Sequence, residues 1–370
     1  GFALANLAAV TGVELAPPHL GFPLGISFFT LQQVVFLVDC AERLATPARL
    51  RDHALFTSFF PYVTSGPIVR HKDVRAALAG ADPTDDALAR GAFRFALGLG
   101  KKAILADNLA VIADAGFAYA GPLSSVDAWA TAVAFTLQLY FDFSGYTDMA
   151  IGAGLMLGWK LPENFDSPLK ATTVIDFWRR WHITLSNLIT TYLYTPLVRL
   201  RARPTFVWGM AMTLVAMTIA GLWHGPAWTY VAFGAAHGVG LVVNQVWKKR
   251  KRKLPRPLAW ALTFAFVNAA FVLFRAPDLH AAGAMLRAMV VPRPSGLLAP
   301  FASFGMIDRA RLAVIVVAAL TVCFGAASTG QRLAKFQPSW RTLALFVAIA
   351  LLALVFANGV TTRGFLYRDF

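Results

Sequence analysis

Three short stretches of this 370-residue chain set ionisable or imidazole side chains into apolar surroundings, where charge is costly and each one needs a reason. The first is Asp176-Phe-Trp-Arg-Arg-Trp-His182-Ile-Thr-Leu-Ser186. On a helix, Trp178, Trp181 and His182 share a face by their i, i+3 and i+4 spacing, with Arg179 and Arg180 turned elsewhere. An interfacial helix, with Trp at headgroup depth and Arg snorkelling to phosphate, has the same composition. The second is Ala220-Gly-Leu-Trp-His224-Gly-Pro226, a histidine that closes a long apolar run. At the end of a span a histidine can be a polar cap and nothing more. It can also serve as a base, because an unperturbed imidazole titrates at about 6.5. Its flanking glycines allow a ligand or a helix backbone to come close. The third, Tyr140-Phe-Asp142-Phe-Ser-Gly-Tyr146-Thr-Asp148, carries two carboxylates. Their spacing turns them roughly 120° apart on a helix. They are not expected to act as one dyad, and at least one is expected to bond to Arg or backbone.

Several familiar machineries are missing. There is no Gly-x-Ser-x-Gly elbow, no His-Glu-x-x-His pair and no Walker loop. His224 and His237 stand 13 residues apart, a poor spacing for a metal pair on one helix. Cys40 and Cys323 are the only two cysteines, too few for a disulfide framework or a zinc ligand set. Neither a metal site nor a bound cofactor is expected.

The elements that must hold these residues are membrane spans. Apolar residues make up 57% of the chain and charged residues 14%, against about 25% charged in a soluble domain. Residues 206–223, 227–247, 257–274, 310–327 and 340–357 form long apolar runs near the roughly 20 residues that cross a bilayer core. Runs at 22–38, 54–69, 93–118 and 129–157 are interrupted by Pro, Gly, Lys or Asp. Such interruptions are tolerated where protein or a water-filled cavity covers them, so an internal channel is expected. The pairs Gly154/Gly158 and Gly234/Gly238 suggest close helix contacts, and residues 80–90 a surface loop. Residues 1–370 are expected to form a single all-α, polytopic membrane domain. The opening residues 1–10 have neither a charged region nor an initiator Met, as in a chain whose N-terminal spans are missing.

The net charge of +15 comes from 34 Lys and Arg against 19 Asp and Glu. No basic domain stands apart from the spans, so membrane lipids and not nucleic acid are the expected partners. Basic clusters at 199–203, 248–256 and 332–341 alternate correctly if all face the cytoplasm. The 221–226 turn, the 275–309 connection and the C-terminus then lie outside.

Read together, the clusters resemble the membrane-bound O-acyltransferase family, and within it the bacterial alginate O-acetyltransferase branch. The motifs are Phe143-Ser-Gly-Tyr-Thr-Asp-Met-Ala-Ile-Gly152, Pro162-Glu-Asn-Phe165, Phe177-Trp-Arg-Arg-Trp-His182-Ile-Thr-Leu-Ser186 and Gly221-Leu-Trp-His-Gly225. Upstream, Pro23-Leu-Gly-Ile-Ser-Phe-Phe29, Phe59-Phe-Pro61 and Gly66-Pro-Ile-Val-Arg70 look like the same family's earlier motifs. The resemblance implies a helical fold with a water-accessible channel, His224 as catalytic base and His182 as the second signature histidine. It implies substrate contacts from Trp178, Arg179, Trp181, Trp223, Asp142 and Tyr146. The implied donor is acetyl-CoA or another thioester on the cytoplasmic side. The implied acceptor is an extracytoplasmic polysaccharide, or a periplasmic partner protein that finishes the transfer, at the bacterial inner membrane. D-alanyl transfer toward teichoic acid, and a non-enzymatic channel or transporter, are the competing readings. The chain departs from the family pattern at Asn187-Leu-Ile-Thr-Thr-Tyr192, at Val198-Arg199 and at Phe365-Leu-Tyr-Arg-Asp-Phe370.

Overall fold

The computed structural model describes residues 2–12, 25–46, 49–78, 82–292, 298–359, 364 and 366. Among these residues the chain is helical, without strands. The helices are α1 (Phe2–Thr11), α2 (Ile26–Ala41), α3 (Leu50–Ser58), α4 (Phe60–Val63), α5 (His71–Leu78), α6 (Asp85–Gly100), α7 (Asp107–Ala118) and α8 (Ser125–Met156). Then come α9 (Val174–Arg180), α10 (Ile183–Leu188), α11 (Thr195–Arg199), α12 (Phe206–Trp223), α13 (Trp228–Lys249), α14 (Arg256–Arg275), α15 (Leu279–Val290), α16 (Met306–Leu320), α17 (Thr329–Ala334) and α18 (Trp340–Gly359). A π-helical segment, Lys101–Ala106, joins α6 to α7. Pro23 and Leu24 of the first motif and most of the C-terminal Phe365–Phe370 stretch lie outside the described residues.

Among the described residues, three helices are long and apolar enough to cross a membrane: Phe206–Trp223, Arg256–Arg275 and Trp340–Ala357. The expected spans at 227–247 and 310–327 are helical but fall short of that standard. Polar His237, Asn244 and Gln245 interrupt α13, and α16 gives way to a π-helical segment at Thr321–Gly325. The outer faces of these helices are apolar and exposed, with Leu351, Leu354 and Val355 of α18 standing clear of the protein. That is the pattern of a lipid-facing surface.

At the centre stands α8, 32 residues long and buried on every side. At 1.5 Å per residue it is about 48 Å long, which exceeds a hydrocarbon core. Gly98 of α6 and Gly145 of α8 interlock here. A Cβ on Gly145 would lie 2.7 Å from the Gly98 carbonyl oxygen. The expected Gly154/Gly158 helix contact is not formed. Instead the chain turns back, with Gly158 at φ 79° and the Trp159 N–H donating to the Gly154 carbonyl at 2.7 Å. Residues 85–90, expected in a surface loop, open α6. The Thr84 side chain accepts from the Ala87 N–H, and Asp85 and Asp86 occupy the first turn, where negative charge suits the helix dipole.

Tertiary contacts gather the basic loops at one end. Lys249 Nζ sits 4.4 Å above the Phe206 ring, Arg90 donates to the Leu333 carbonyl at 2.6 Å, and Gln331 donates to Asp166 at 2.9 Å. The opposite end is tied by Arg275 to Asp114 at 2.8 Å and by Trp129 to the Met289 carbonyl at 3.0 Å. The positive-inside rule predicts that the first end is cytoplasmic. Cysteines placed at 248–253 should therefore react only with reagents that enter the cytoplasm. Labelling by an impermeant reagent in intact cells would reverse the orientation.

Candidate active site

The helix that carries the first motif does not run through it. Thr173 caps α9 through a bond from the Asp176 N–H, and the helix ends at Arg180. Trp181 is extended, and His182 takes the left-handed conformation with φ 44° and ψ 53° before α10 begins. Histidine is one of the few non-glycine residues that visit this region readily. The expectation that Trp178, Trp181 and His182 line one helical face is thus corrected: they flank a kink.

The kink is held from outside. An N-terminal helical turn leaves N–H groups without intrahelical partners, and here Asn164 supplies them. Its carbonyl accepts from the Ile183 N–H at 3.0 Å, and its side-chain Oδ1 accepts from the Thr184 N–H at 3.1 Å and from the Thr184 hydroxyl at 2.9 Å. The same Oδ1 lies 3.1 Å from His182 Nδ1. Thr184 Oγ1 in turn accepts from the Ile68 N–H at 3.1 Å, which ties in the 66–70 motif. Asn164 is fully buried and His182 is 1% exposed.

Aromatic rings join the two signature histidines. Phe143 meets His182 edge-on at 4.7 Å, and Phe28 lies 6.5 Å from the same imidazole. Phe28 also meets Trp223 at 5.4 Å, and Trp223 meets His224 at 4.9 Å. His224, at the end of α12, is 4% exposed and packs against Phe233 and Phe274. The two imidazoles are close enough to interact electrostatically.

A third histidine joins them. His237 on α13 is fully buried, 4.7 Å from Phe233, and within electrostatic reach of His224. Trp178 Nε1–H donates to His237 Nδ1 at 3.2 Å, so the neutral ring carries its proton on Nε2. Spacing along one helix gave no reason to pair His237 with His224; the α12–α13 hairpin brings them together. No cluster of three or more His, Cys, Asp or Glu suited to a metal occurs among the described residues.

The remaining candidates divide. Trp181 belongs to the cluster, stacked on Phe177 at 5.5 Å and edge-on to Phe165 at 5.2 Å. Trp223 is half-buried beside His224. Arg179 is exposed at the end of α9, outside the histidine cluster, so the structure gives no support to it as a substrate contact there. Asp142 forms a buried ion pair with Lys102 at 2.6 Å and accepts from the Leu366 N–H at 2.8 Å. Tyr146 bonds with the Thr64 hydroxyl at 2.5 Å. These bonds tie Asp142 to the segment between α6 and α7, and Tyr146 to the turn after α4.

Asp148 goes its own way, bonded to Arg94 at 2.9 Å, Lys101 at 2.6 Å and the Thr329 hydroxyl at 2.7 Å. Glu163 completes the network through two 2.6 Å bonds from Arg94. Beside it is a polar cavity of about 10 Å³, the size of one water, lined in part by Tyr140, Ser144 and Phe165. Tyr140 and Phe165 also face Trp181, so this cavity backs onto the aromatic wall of the histidine cluster.

Phe177 is 1% exposed and stacks on both Trp181 and His237, the latter at 6.0 Å. The packing predicts that Phe177→Ala and Trp181→Ala each cost about 3–5 kcal/mol of stability. Thermal unfolding in detergent would show this, and an unchanged midpoint for Phe177→Ala would contradict it.

Residues 27–276 match the MBOAT, membrane-bound O-acyltransferase, family, and this segment contains all three histidines, Asn164 and the kink. The chain belongs to the membrane-bound O-acyltransferase family. It is 41% identical over 323 residues to the peptidoglycan O-acetyltransferase of Helicobacter pylori, covering 78% of this chain and 60% of that protein. It is 42% identical over 274 residues to the probable alginate O-acetylase AlgI of Pseudomonas aeruginosa, covering 73% of this chain and 52% of that protein. Likeness to the teichoic acid D-alanyltransferase of Bacillus subtilis is lower, 29% over 285 residues, with 71% of each chain covered. The chain therefore spans 60% and 52% of the length of these two relatives, the O-acetyltransferase and the O-acetylase. Within this cluster, the sequence reading weighed His237 only as a metal partner of His224, and Asn164 only as part of a motif.

Proposed function

We propose that this protein transfers an acetyl group from a cytoplasmic thioester, acetyl-CoA or a carrier-bound equivalent, toward an extracytoplasmic cell-envelope polysaccharide. The observation that supports it best is the enclosed histidine pair, His182 and His224, inside a family-matched segment. A hydroxyl is a poor nucleophile at neutral pH, so its proton must leave as the new ester bond forms. An imidazole is suited to take it, and general-base help is typically worth about 10²–10⁴-fold. His224 is assigned that task, because it lies at the α12–α13 turn, at the outer end where the acceptor arrives. The departing thiolate receives the proton in return, so the exchange balances.

Burial also favours this reading. Three imidazoles and five or more aromatic rings make a water-poor site, which strengthens polar contacts and limits thioester hydrolysis. Access requires an internal channel that opens when side chains such as half-buried Trp223 turn aside. The acceptor reaches the site directly or through a periplasmic acetyl-transferring partner, at the bacterial inner membrane, with several spans in the lipid. Acetyl transfer is preferred over D-alanyl transfer because identity to the acetylating relatives is 41–42%, against 29% for a D-alanylating one.

The test is purified full-length protein in liposomes, given acetyl-CoA and, separately, a carrier-protein thioester, with thioester cleavage and acceptor acetylation both measured. Mass analysis of surface glycans from cells with and without the intact gene identifies the polymer. Failure to cleave any thioester would favour a channel or transporter.

A further inference from the structure

His182 has a feature that the pairing with His224 does not explain. Its Nε2 is buried and has no hydrogen-bond partner among the described residues, whereas its Nδ1 faces Asn164 Oδ1. The orientation of the Asn164 amide is decided by the backbone. The Thr184 N–H is a donor and nothing else, and it points at the same atom, so that atom is the oxygen. An amide oxygen only accepts, and therefore the nitrogen 3.1 Å away must be protonated. In the neutral ring the remaining nitrogen, Nε2, then carries the lone pair.

We infer that Asn164 is a positioning residue that fixes His182 as the Nδ1–H tautomer, so that His182 meets the reacting groups as a proton acceptor. This rests on the acyl-transfer reading. A neutral His182 so fixed cannot donate a hydrogen bond to the thioester carbonyl or to the oxyanion that forms there. Its partner must carry an O–H or N–H, either the acceptor hydroxyl or the protonated His224 ring. The left-handed backbone at His182 and the three bonds to Asn164 Oδ1 hold the ring in one place. The same amide thus sets the kink and the protonation site. His237 is oriented the opposite way by Trp178, which gives the site one imidazole of each tautomer.

Two measurements test this on the full-length protein. The first is nitrogen NMR of histidine-labelled wild type in detergent, with the His182 signal assigned by its loss in His182→Gln. Nδ1 should be the protonated nitrogen, and an Nε2–H tautomer overturns the inference. The second is the pH profile of kcat/KM for acyl transfer in Asn164→Asp and Asn164→Leu. Asp keeps an acceptor against Nδ1–H and adds a negative charge, which favours the imidazolium by about 1–3 pH units. A base must be neutral to act, so the acid limb of the profile should move to higher pH while transfer persists. Leu removes the acceptor and should lower kcat by about 10²-fold with a smaller change in KM. Transfer by Asn164→Leu within threefold of wild type, or an unshifted acid limb in Asn164→Asp, overturns the assignment. Should Asn164→Leu not fold, the wild-type spectrum and the Asn164→Asp profile decide. A wild type that transfers acyl groups normally while these results fail sinks only this inference. A wild type that cleaves no thioester sinks the reading beneath it.

Discussion

Replacing His224 with alanine should lower acyl transfer by about 10²–10⁴-fold while the protein still inserts and folds. The loss should fall on kcat and kcat/KM alike, since the proton moves only as the transition state forms. His224→Gln should not restore it, because an amide can hold a hydrogen bond but cannot accept a proton at neutral pH. The His224 ring is 4% exposed among Trp223, Phe233 and Phe274, so its removal also leaves a void. Gln partly fills that space, which makes it the better control for packing. The measurement is turnover by matched amounts of folded protein, checked by size-exclusion profile and unfolding midpoint. Transfer by His224→Ala within threefold of wild type would remove the base assignment from His224. His182 would then have to carry it. His182→Ala should leave a remnant of activity, because the His224 base survives.

Much of the scaffold was legible because lipid imposes a simple length rule. The runs at 206–223, 257–274 and 340–357 return as α12, α14 and α18 with ends within two residues. The central helix was harder. Its run at 129–157 was visible, but Asp142 and Asp148 looked like breaks. They are accommodated because Lys102, Lys101 and Arg94 reach them from the α6–α7 segment, a pairing no local pattern displays. At 80–90 the aspartates were read as loop chemistry, although Thr84-Asp-Asp is also what opens a helix.

The site was legible residue by residue and opaque in its geometry. Residues 174–194 contain neither Gly nor Pro, so helical spacing was the natural reading. The kink at Trp181–His182 arises because Asn164, 18 residues upstream, offers a better set of hydrogen bonds than a continuous helix would. A cap supplied from such a distance leaves no trace in local periodicity. His237 was hidden for a related reason: its nearness to His224 is made by a turn between helices. Exposure was equally hard to read locally, since Arg179 adjoins Trp178 in sequence yet is exposed at the end of α9 while Trp178 is buried.

The glycines of the α12–α13 hairpin should prove nearly as sensitive as the histidine they support. Sequence offered Gly221 as room for a ligand or a helix and Gly234 as a helix contact, and the structure brings the two helices together at both. A Cβ on Gly221 would lie 2.8 Å from Gly234 Cα and would also strike the Tyr230 carbonyl oxygen. One on Gly234 would lie 2.9 Å from Gly221 Cα and meet the Met217 carbonyl oxygen. These neighbours are backbone, so no rotamer change relieves the overlap, and the helices must part. Such overpacking typically costs about 1–3 kcal/mol. His224 follows Gly221 by three residues, and Phe233, which packs on His224, immediately precedes Gly234. Moving either helix therefore moves the base, and a displacement of about 1 Å can cost on the order of 10²-fold in rate. Gly221→Ala and Gly234→Ala should each lose about that much in kcat, with a lowered unfolding midpoint. The control is Gly283→Ala in α15, where an added Cβ meets nothing within 4 Å. That change should leave activity intact and stabilise by up to about 1 kcal/mol. Equal activity in Gly221→Ala and Gly283→Ala would show that the close crossing of α12 and α13 does not place His224.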